Sequence, residues 1–324
     1  MKTMKWLLRR EFWEHKGAMA WAPLIVGALM VLLVGTMAVY GASQGKLTGN
    51  ITIVRDDAGA TTISHAIPPE QLQQLAVTVS DMYIVAAQPL LLMMSVIAFF
   101  YCLSALHSER SDRSILFWKS LPVSDTQTVL SKVVTAIVVI PLIAIAAGIV
   151  VALLLLAIIG IVFAVNGVNL FGMVLSNPNF YLAPLRLIGL LPVYLVWALP
   201  TVGWLLMVSA WARSKVFLWA VGAPVIVVVI VKWADYLLQT GINIDWLVQN
   251  VIARGLAGLI PGNWLALTHV NPHALAGNNN IVATGNLFTE SWMTLASPQA
   301  VIGAVAGVAM IVVAMRLRRW KDEG

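Results

Sequence analysis

Two short motifs have the residue types and spacing of catalytic or metal-binding sites. Gly41-Ala42-Ser43-Gln44-Gly45 fits G-x-S-x-G, the nucleophile turn of many hydrolases, but that turn must follow a strand. Here an apolar stretch long enough for a membrane helix precedes it, so we expect a loop of small residues. His269 and His273 have the i, i+4 spacing of helical metal ligands, but Pro272 breaks such a helix. We therefore expect solvated loop histidines.

A nucleotide-binding loop is also missing from the sequence. Gly45-Lys46 lacks both the upstream spacing and the following Ser or Thr of the phosphate-binding motif, and no other Gly-Lys-Ser/Thr occurs. We therefore predict no catalytic residue, no metal ligand and no bound cofactor in this chain, and we do not expect it to be an enzyme.

The segment from His107 to Asp125 combines charges with a dense apolar patch. Glu109 and Arg113 have the i, i+4 order that favours a helical ion pair, and bulky apolar residues follow until Pro122. A short amphipathic helix of this kind suits docking onto a soluble partner, the alternative being that it lies on lipid. Either Ser124 or Asp125 can cap the next helix.

The composition indicates which kind of protein positions these residues. The chain has 324 residues, of which 60% are hydrophobic and 10% charged, and its mean hydropathy is +0.87. Soluble domains carry about 25% charged residues, so this chain cannot cover a water-facing surface. A soluble enzyme, a disordered regulator and a disulfide-stapled secreted domain are excluded. The single Cys102 cannot form an internal disulfide.

Charge-free stretches of about 20 residues or more predict membrane spans. We predict an all-α polytopic membrane protein forming a single transmembrane domain over residues 1–324. Its six transmembrane helices are expected at 18–42, 82–106, 129–165, 187–212, 216–236 and 298–315. The third stretch has 33 uncharged residues and no polar turn near Gly148, so we expect one long helix, bent at Pro141.

The remaining segments are assigned from the spans. They are a basic segment at 1–17, outer connections at 43–81, 166–186 and 237–297, a cytoplasmic connection at 107–128, and a cytoplasmic tail at 316–324. We expect residues 1–17 to form an amphipathic interfacial helix presenting Trp6, Leu8, Arg9, Phe12 and Trp13, the alternative being an unstructured basic anchor. Ile51, Ile53 and Val54 indicate a small β-hairpin, and 269–297 is expected to be an exposed loop. Gly303 and Gly307 form G-x-x-x-G, which favours close helix packing.

The basic residues are distributed unequally between the two sides of this topology. Fifteen of the 20 Lys and Arg fall on the side that holds both termini, which predicts that this side is cytoplasmic. The net charge is +8 on that side and −2 on the other, so a nucleic-acid partner is not needed to explain the basic balance. Lys132, Arg186, Lys232 and Asp235 lie at span ends, where they can reach the interface. Without mid-span charges, ion-coupled transport through a charged relay is disfavoured.

The stretch from Glu109 to Lys132 resembles the cytoplasmic motif of ABC-2 type transporter permeases. The similar residues are Glu109-Arg110-Ser111-Asp112-Arg113-Ser114-Ile115-Leu116-Phe117-Trp118-Lys119-Ser120-Leu121-Pro122-Val123-Ser124, followed by Thr128-Val129-Leu130-Ser131-Lys132. The N-terminal amphipathic helix, the six spans and the internal termini are similar at the level of organisation only.

This resemblance implies a permease subunit of an ABC exporter in a bacterial-type inner membrane. The first cytoplasmic connection would carry a coupling helix that docks in a separate ATP-binding subunit, which would hold ATP and Mg. A second permease copy or a homologous permease would complete the complex, surrounded by membrane lipid. Residues 242–268 would form short re-entrant outer helices. The implied docking residues are Glu109, Arg110, Asp112, Arg113, Phe117, Trp118, Lys119, Leu121 and Pro122.

Two other classes of function stay open from the sequence. One is a membrane sensor or anchor subunit that binds an ATPase without moving a substrate. The other is a secondary transporter or channel that works without an ATPase.

Overall fold

The computed structural model of the chain describes residues 2–43, 51–56, 59–64, 74, 77–80, 82–112, 123–165, 169–239, 248–275 and 283–320. Six helices in it are long and apolar enough to cross a membrane. We call them spans 1 to 6: Gly17–Ser43, Val77–Ser111, Asp125–Val165, Pro178–Trp211, Leu218–Leu238 and Pro298–Trp320. The predicted number of spans is confirmed, and the chain has the architecture of a helical polytopic membrane protein.

Within and between these spans the regular elements follow in chain order. The α-helices are α1 Lys2–Glu14, α2 Ala22–Ser43, α3 Met82–Ala105, α4 His107–Ser111, α5 Asp125–Val134, α6 Ile140–Val165, α7 Leu170–Leu175, α8 Pro178–Gly189, α9 Leu191–Trp211, α10 Ala223–Leu238, α11 Arg254–Ala257, α12 Asn263–Leu267, α13 Pro272–Leu275, α14 Thr284–Met293 and α15 Pro298–Trp320. Turns of π-helix occupy Gly17–Trp21, Thr135–Val139, Leu218–Gly222 and Val248–Ala253, and a 3-10 turn occupies Thr294–Ala296.

The spans pack in an order different from their order in the chain. Span 3 lies between spans 1 and 2, span 2 contacts span 4, and span 4 packs along span 6. Span 5 lies at the edge of the bundle, and none of the side chains of α10 is buried. The core of the bundle is therefore built by spans 2, 3, 4 and 6, and Trp197 of span 4 is its largest fully buried side chain.

Three of the π-helical turns end two residues before a proline. They precede Pro23, Pro141 and Pro224. A proline inside a helix lacks the N–H donor and crowds the carbonyl four residues earlier, and a widened turn relieves that crowding. In span 5, Pro224 has no N–H to donate to the carbonyl of Ala220, four residues earlier. That carbonyl accepts a hydrogen bond of 3.0 Å from Trp204 Nε1 instead. Span 3 is one helix of 41 residues, as predicted.

Glycines allow spans 4 and 6 to touch through their backbones. A Cβ added to Gly307 would lie 2.5 Å from the backbone of Leu199, and one added to Gly203 would lie 2.5 Å from the Gly307 carbonyl oxygen. A Cβ added to Gly303 would overlap the Arg254 guanidinium. Both glycines of the G-x-x-x-G motif thus lie at a close approach.

Two segments expected to be loops contain helices. The predicted connection 166–186 holds α7 and most of α8, whose first turns are capped by Asn169 and Asn177. The predicted exposed loop 269–297 holds α14, in which Thr284 and Ser291 are buried. Thr284 and Ser291 are held there by side chains of other elements. Arg186 donates to Thr284 Oγ1 at 2.9 Å, and Trp264 donates to Ser291 Oγ at 2.9 Å.

The predicted β-hairpin is present between spans 1 and 2. Strands β1 Ile51–Asp56 and β2 Gly59–Ser64 pair antiparallel, with Ile51 opposite Ser64 and Asp56 opposite Gly59. The other regular elements of the described residues are helical. The expectation of an all-α chain therefore holds for the membrane bundle but not for this hairpin between spans 1 and 2.

The close contact at Gly307 predicts a stability difference between two glycine positions. Gly307→Ala should lower the free energy of unfolding by about 1–3 kcal/mol, because the added methyl meets the rigid backbone of span 4. Gly17→Ala is the matched control, since no atom lies within 4 Å of a Cβ at that position. Thermal unfolding of the purified chain in mild detergent measures both, and equal melting temperatures would contradict the packing.

Candidate functional site

A buried cluster of charged residues joins the helices at one end of the bundle. Its centre is Glu11 of α1, which is 0% exposed. Glu11 Oε1 accepts hydrogen bonds from Lys132 Nζ at 3.0 Å and from Arg10 Nη2 at 3.3 Å. Glu11 Oε2 accepts one from the Tyr101 hydroxyl at 2.7 Å. The amphipathic N-terminal helix is thereby fixed to spans 2 and 3.

A second carboxylate, Glu109 of α4, binds the same cations from the other side. Its Oε1 lies 3.1 Å from Arg10 Nη2 and 3.0 Å from Lys132 Nζ. Its Oε2 lies 3.1 Å from Arg318 Nη2 at the end of span 6. Lys132 is only 2% exposed, so its ammonium is neutralised by two carboxylates and not by water. The sequence-based expectation that Lys132 reaches the interface is therefore wrong.

Arg318 links both ends of the predicted docking segment. One end carries Glu109, and the other carries Asp125, whose Oδ1 lies 3.2 Å from Arg318 Nε. Ser124 precedes Asp125 and caps α5, accepting a hydrogen bond of 3.2 Å from the backbone N–H of Gln127. The two flanks of the predicted docking segment are thus held by one arginine. We call the group Arg10, Glu11, Glu109, Asp125, Lys132 and Arg318 the ion network.

The C-terminal end of span 4 adds a set of hydrogen bonds to the same region. Arg110 Nη2 donates to the carbonyl oxygens of Ser209 at 2.6 Å and Ala212 at 2.9 Å. Ser209 Oγ in turn accepts from the backbone N–H groups of Leu106 and His107, each at 3.1 Å. Since the last carbonyls of a helix lack partners within it, these contacts satisfy the end of span 4 with groups from α4.

The electrostatic environment keeps Glu11 ionised. Burial would raise the pKa of Glu11, but the charge of Lys132, the hydrogen bond from Tyr101 and the charge of Arg10 together lower the pKa below its ordinary value of 4.5. The carboxylate therefore holds its cations at neutral pH as a fixed negative charge.

The structure describes only three of the predicted docking residues, Glu109, Arg110 and Asp112. Arg113, Phe117, Trp118, Lys119, Leu121 and Pro122 lie outside the described residues. Asp112 is exposed, whereas Glu109 is buried in the ion network and Arg110 is directed to the carbonyl groups of span 4. Glu109 and Arg110 thus hold the segment to the bundle, a role different from the expected contact with a partner.

The N-terminal helix is also more than a surface anchor. Trp6, Arg9 and Trp13 are exposed, with the Arg9 guanidinium 5.6 Å from the Trp6 ring centroid. Leu8 and Phe12 are half-buried. The face turned to the bundle carries Arg10 and Glu11, whose charges did not fit the expected apolar stripe. No spacing in the sequence could reveal this face, because the partners of Glu11 lie 90 and 121 residues away.

Of the motifs with catalytic or metal-binding spacing, the structure describes Ser43 and both histidines. Ser43 is exposed at the end of α2 and donates to the carbonyl of Tyr40, and His269 and His273 are both exposed. Among the described residues, one group of three potential metal ligands lies together: Glu11, Glu14 and His15. Because both oxygens of Glu11 already bind cationic or hydroxyl donors, a metal ion there would have to displace Lys132.

No protein-family model, curated protein or solved structure in our comparisons matches this chain.

The burial of Glu11 predicts a large effect of removing its charge. Glu11→Gln should lower the free energy of unfolding by about 3–5 kcal/mol, because Lys132 and Arg10 lose a buried counter-charge. Glu14→Gln is the matched control: Glu14 is half-exposed and pairs with Arg10 on the helix surface, so its change should stay within about 0.5 kcal/mol. Chemical or thermal unfolding in detergent distinguishes the two variants, and similar losses would contradict a buried network.

The lowered pKa of Glu11 also predicts the sign of a pH dependence. A carboxyl group whose pKa is lower in the folded state adds stability above its unfolded value and loses it as pH falls through the folded value. The wild-type chain should therefore lose stability on acidification below about pH 4.5, the ordinary value of this group. In Glu11→Gln this part of the loss should be missing, as melting temperatures measured from pH 7 to pH 3 would show.

Proposed function

We propose that this chain is the membrane-spanning permease subunit of an ABC exporter, with both termini in the cytoplasm of a bacterial-type cell. The observation that carries the proposal is the attachment of the segment between Asp112 and Val123 at both flanks to the ion network. A segment that docks on a moving partner must be coupled to the spans if its movement is to reach them. The similarity to ABC-2 permeases concerns this same segment.

The ion network provides a mechanical connection for such movement. A displacement of α4 or α5 pulls on Arg318 and hence on span 6, and it pulls through Lys132 and Glu11 on α1 and span 3. Ion pairs inside an apolar bundle are costly to separate, so the connected helices move together. ATP binding and hydrolysis in a separate subunit would thus change the arrangement of the spans.

The edge position of span 5 supports a complex with a second permease. No side chain of α10 is buried within the chain, and the face of span 5 turned away from spans 4 and 6 is available to lipid or to another protein. We propose that a second copy, or a similar chain, packs near this span, and that two ATP-binding subunits contact the cytoplasmic face.

The docking role of the segment is tested by co-purification of the tagged full chain from its own cells in mild detergent. An ATP-binding protein should accompany the wild-type chain. Trp118→Ala should reduce its recovery tenfold or more, since a bulky aromatic anchor supplies a large part of docking energy. Trp320→Ala is the matched control, because Trp320 is an exposed tryptophan at the same end of the bundle.

Co-purification, combined with transport assays in liposomes or sealed vesicles, separates the functional classes through three outcomes. Absence of any ATP-binding protein, together with transport by the chain alone in liposomes, would replace the proposal with a secondary transporter or channel. A stable complex without substrate movement across sealed vesicles would indicate a sensor or anchor subunit. Equal recovery with both tryptophan variants would show that the segment does not dock.

Transmission through the ion network is tested separately by Arg318→Met. This change removes the link between the two flanks of the segment without altering the predicted docking surface. We expect the ATP-binding subunit to stay bound. The coupling of its ATP hydrolysis to transport should fall about tenfold. Arg319→Met, at the neighbouring position of span 6, should leave coupling unchanged. Unaltered coupling in Arg318→Met would contradict the mechanical role.

A further inference from the structure

A second polar feature lies inside the bundle, away from the ion network. A cavity of about 540 Å³ is lined by spans 4, 5 and 6 and by the segment 248–257, and it is open on one side, where Val227, Val251 and Ile302 are exposed. Its wall is apolar along most of its length, with Trp204 from span 4, Val227 from span 5, and Ile302 and Met310 from span 6. The polar side chains in its lining are Asn250 and Arg254 at one end, apart from the Trp204 indole, which already donates to Ala220.

Arg254 is held in place at this end of the cavity. Its backbone carbonyl accepts a hydrogen bond of 2.9 Å from Thr201 Oγ1, and the same hydroxyl accepts one of 3.0 Å from the backbone N–H of Gly258. Its guanidinium carbon lies 4.7 Å from the centroid of the Trp197 ring. Gly303 of span 6 leaves the space for the guanidinium, since a Cβ there would overlap it. The position of the side chain is therefore determined by spans 4 and 6.

The charge of Arg254 has no counter-charge in the described part of the chain. The residue is 6% exposed, and its Nε and Nη2 atoms are buried without a hydrogen-bond partner among the described residues. No described carboxylate forms an ion pair with it. The Trp197 ring offers a cation–π contact, which leaves the in-plane N–H donors unsatisfied. A buried guanidinium in this condition is costly, and a bound anion with two oxygen acceptors relieves that cost.

The shape of the cavity restricts the kind of anion. From Ile302 to Met310 it follows span 6 for about 12 Å, at the rise of about 1.5 Å per helical residue. Its volume is in the range of sites for small organic ligands, and a small inorganic anion would occupy only the end at Arg254. An apolar chain attached to the anion would fill the remaining length beside Val227 and Met310.

We propose that this cavity binds an anionic amphiphile, with a carboxylate or phosphate group on Arg254 and an acyl chain along span 6. The site is defined by residues of this chain alone, so it stands or falls independently of the proposed ATP-driven transport. Fatty acids and anionic phospholipids share the required chemistry, and the test separates these sources.

The binding test uses the purified full chain in a neutral maltoside detergent and probes that quench tryptophan fluorescence. Trp204 lines the cavity, so a probe with bromine on its acyl chain should quench its fluorescence. The probes are 11-bromoundecanoate, phosphatidylglycerol with brominated chains, the neutral 11-bromoundecanol, and inorganic phosphate as a competitor without a chain. We expect saturable quenching by at least one anionic probe, and the one that binds more tightly identifies the source.

The variants separate the charge from the apolar cavity. Arg254→Gln should weaken binding of the anionic probe about 10- to 100-fold, as expected for the loss of charge-assisted hydrogen bonds, and leave the alcohol unchanged. Arg254→Lys should retain part of the affinity, since it keeps the charge and loses the bidentate geometry. Lys232→Gln is the matched control, because Lys232 is an exposed cation outside the cavity. Ala306→Phe should block binding by filling the cavity while leaving Arg254 in place.

Several results would overturn the proposal. Equal affinity of wild type and Arg254→Gln for the anionic probe, or equal affinity for the acid and the alcohol, would show that Arg254 does not recognise the headgroup. Full competition by inorganic phosphate at the same concentration as the amphiphile would indicate a site for a soluble anion. Dissociation of a dimer by Arg254→Gln, with no probe binding to the wild type, would show that an acidic residue of a second copy occupies the site. Retained binding in Arg254→Lys and Lys232→Gln confirms that the variants fold.

Discussion

The arrangement of this bundle depends on the cost of leaving a charge unpaired away from water. At one end of the bundle the buried charges neutralise one another. The residues involved come from different helices, and they are Glu11, Glu109, Lys132 and Arg318. The N-terminal helix therefore cannot detach, nor span 6 shift, without exposing a buried charge. The same cost applies to the guanidinium of Arg254, which lies near the other end of span 6 and forms no ion pair with a described residue.

Close packing between the spans has a role separate from that of these charges. Spans 4 and 6 approach until their backbones touch at Gly203 and Gly307, which leaves no room for water or lipid between them. Thr201, four residues further along the chain from Trp197, binds the segment that carries Arg254. Apolar contact thus fixes the spans relative to one another, and the hydrogen bonds and ion pairs determine which connecting segments attach to each end.

The sequence predicted those features that depend on local composition. Six apolar stretches became six spans, Ser124 caps α5, and Ile51 to Val54 form a strand, because length, capping and alternation act over a few residues. It did not predict the burial of Lys132 or the position of Arg254, since each depends on helices brought together by folding from distant parts of the chain. The helix Thr284–Met293 was missed because the segment 269–297 is rich in Asn and Gly, whereas the burial of Thr284 and Ser291 depends on Arg186 and Trp264 elsewhere in the chain. The predicted contact of Trp118 with an ATP-binding subunit stays a prediction.

The widened turns before Pro23, Pro141 and Pro224 all occur in spans that leave the bundle end containing the ion network and run away from it. A helix bends most easily where its regular hydrogen bonding is interrupted. Spans 1, 3 and 5 thus each have such an interruption in their first half, whereas spans 4 and 6 are joined closely through glycines. Spans 1 and 3 are attached to the ion network on the near side of these turns, through Glu11 and Lys132, so a pull on the network would bend each of them at its widened turn.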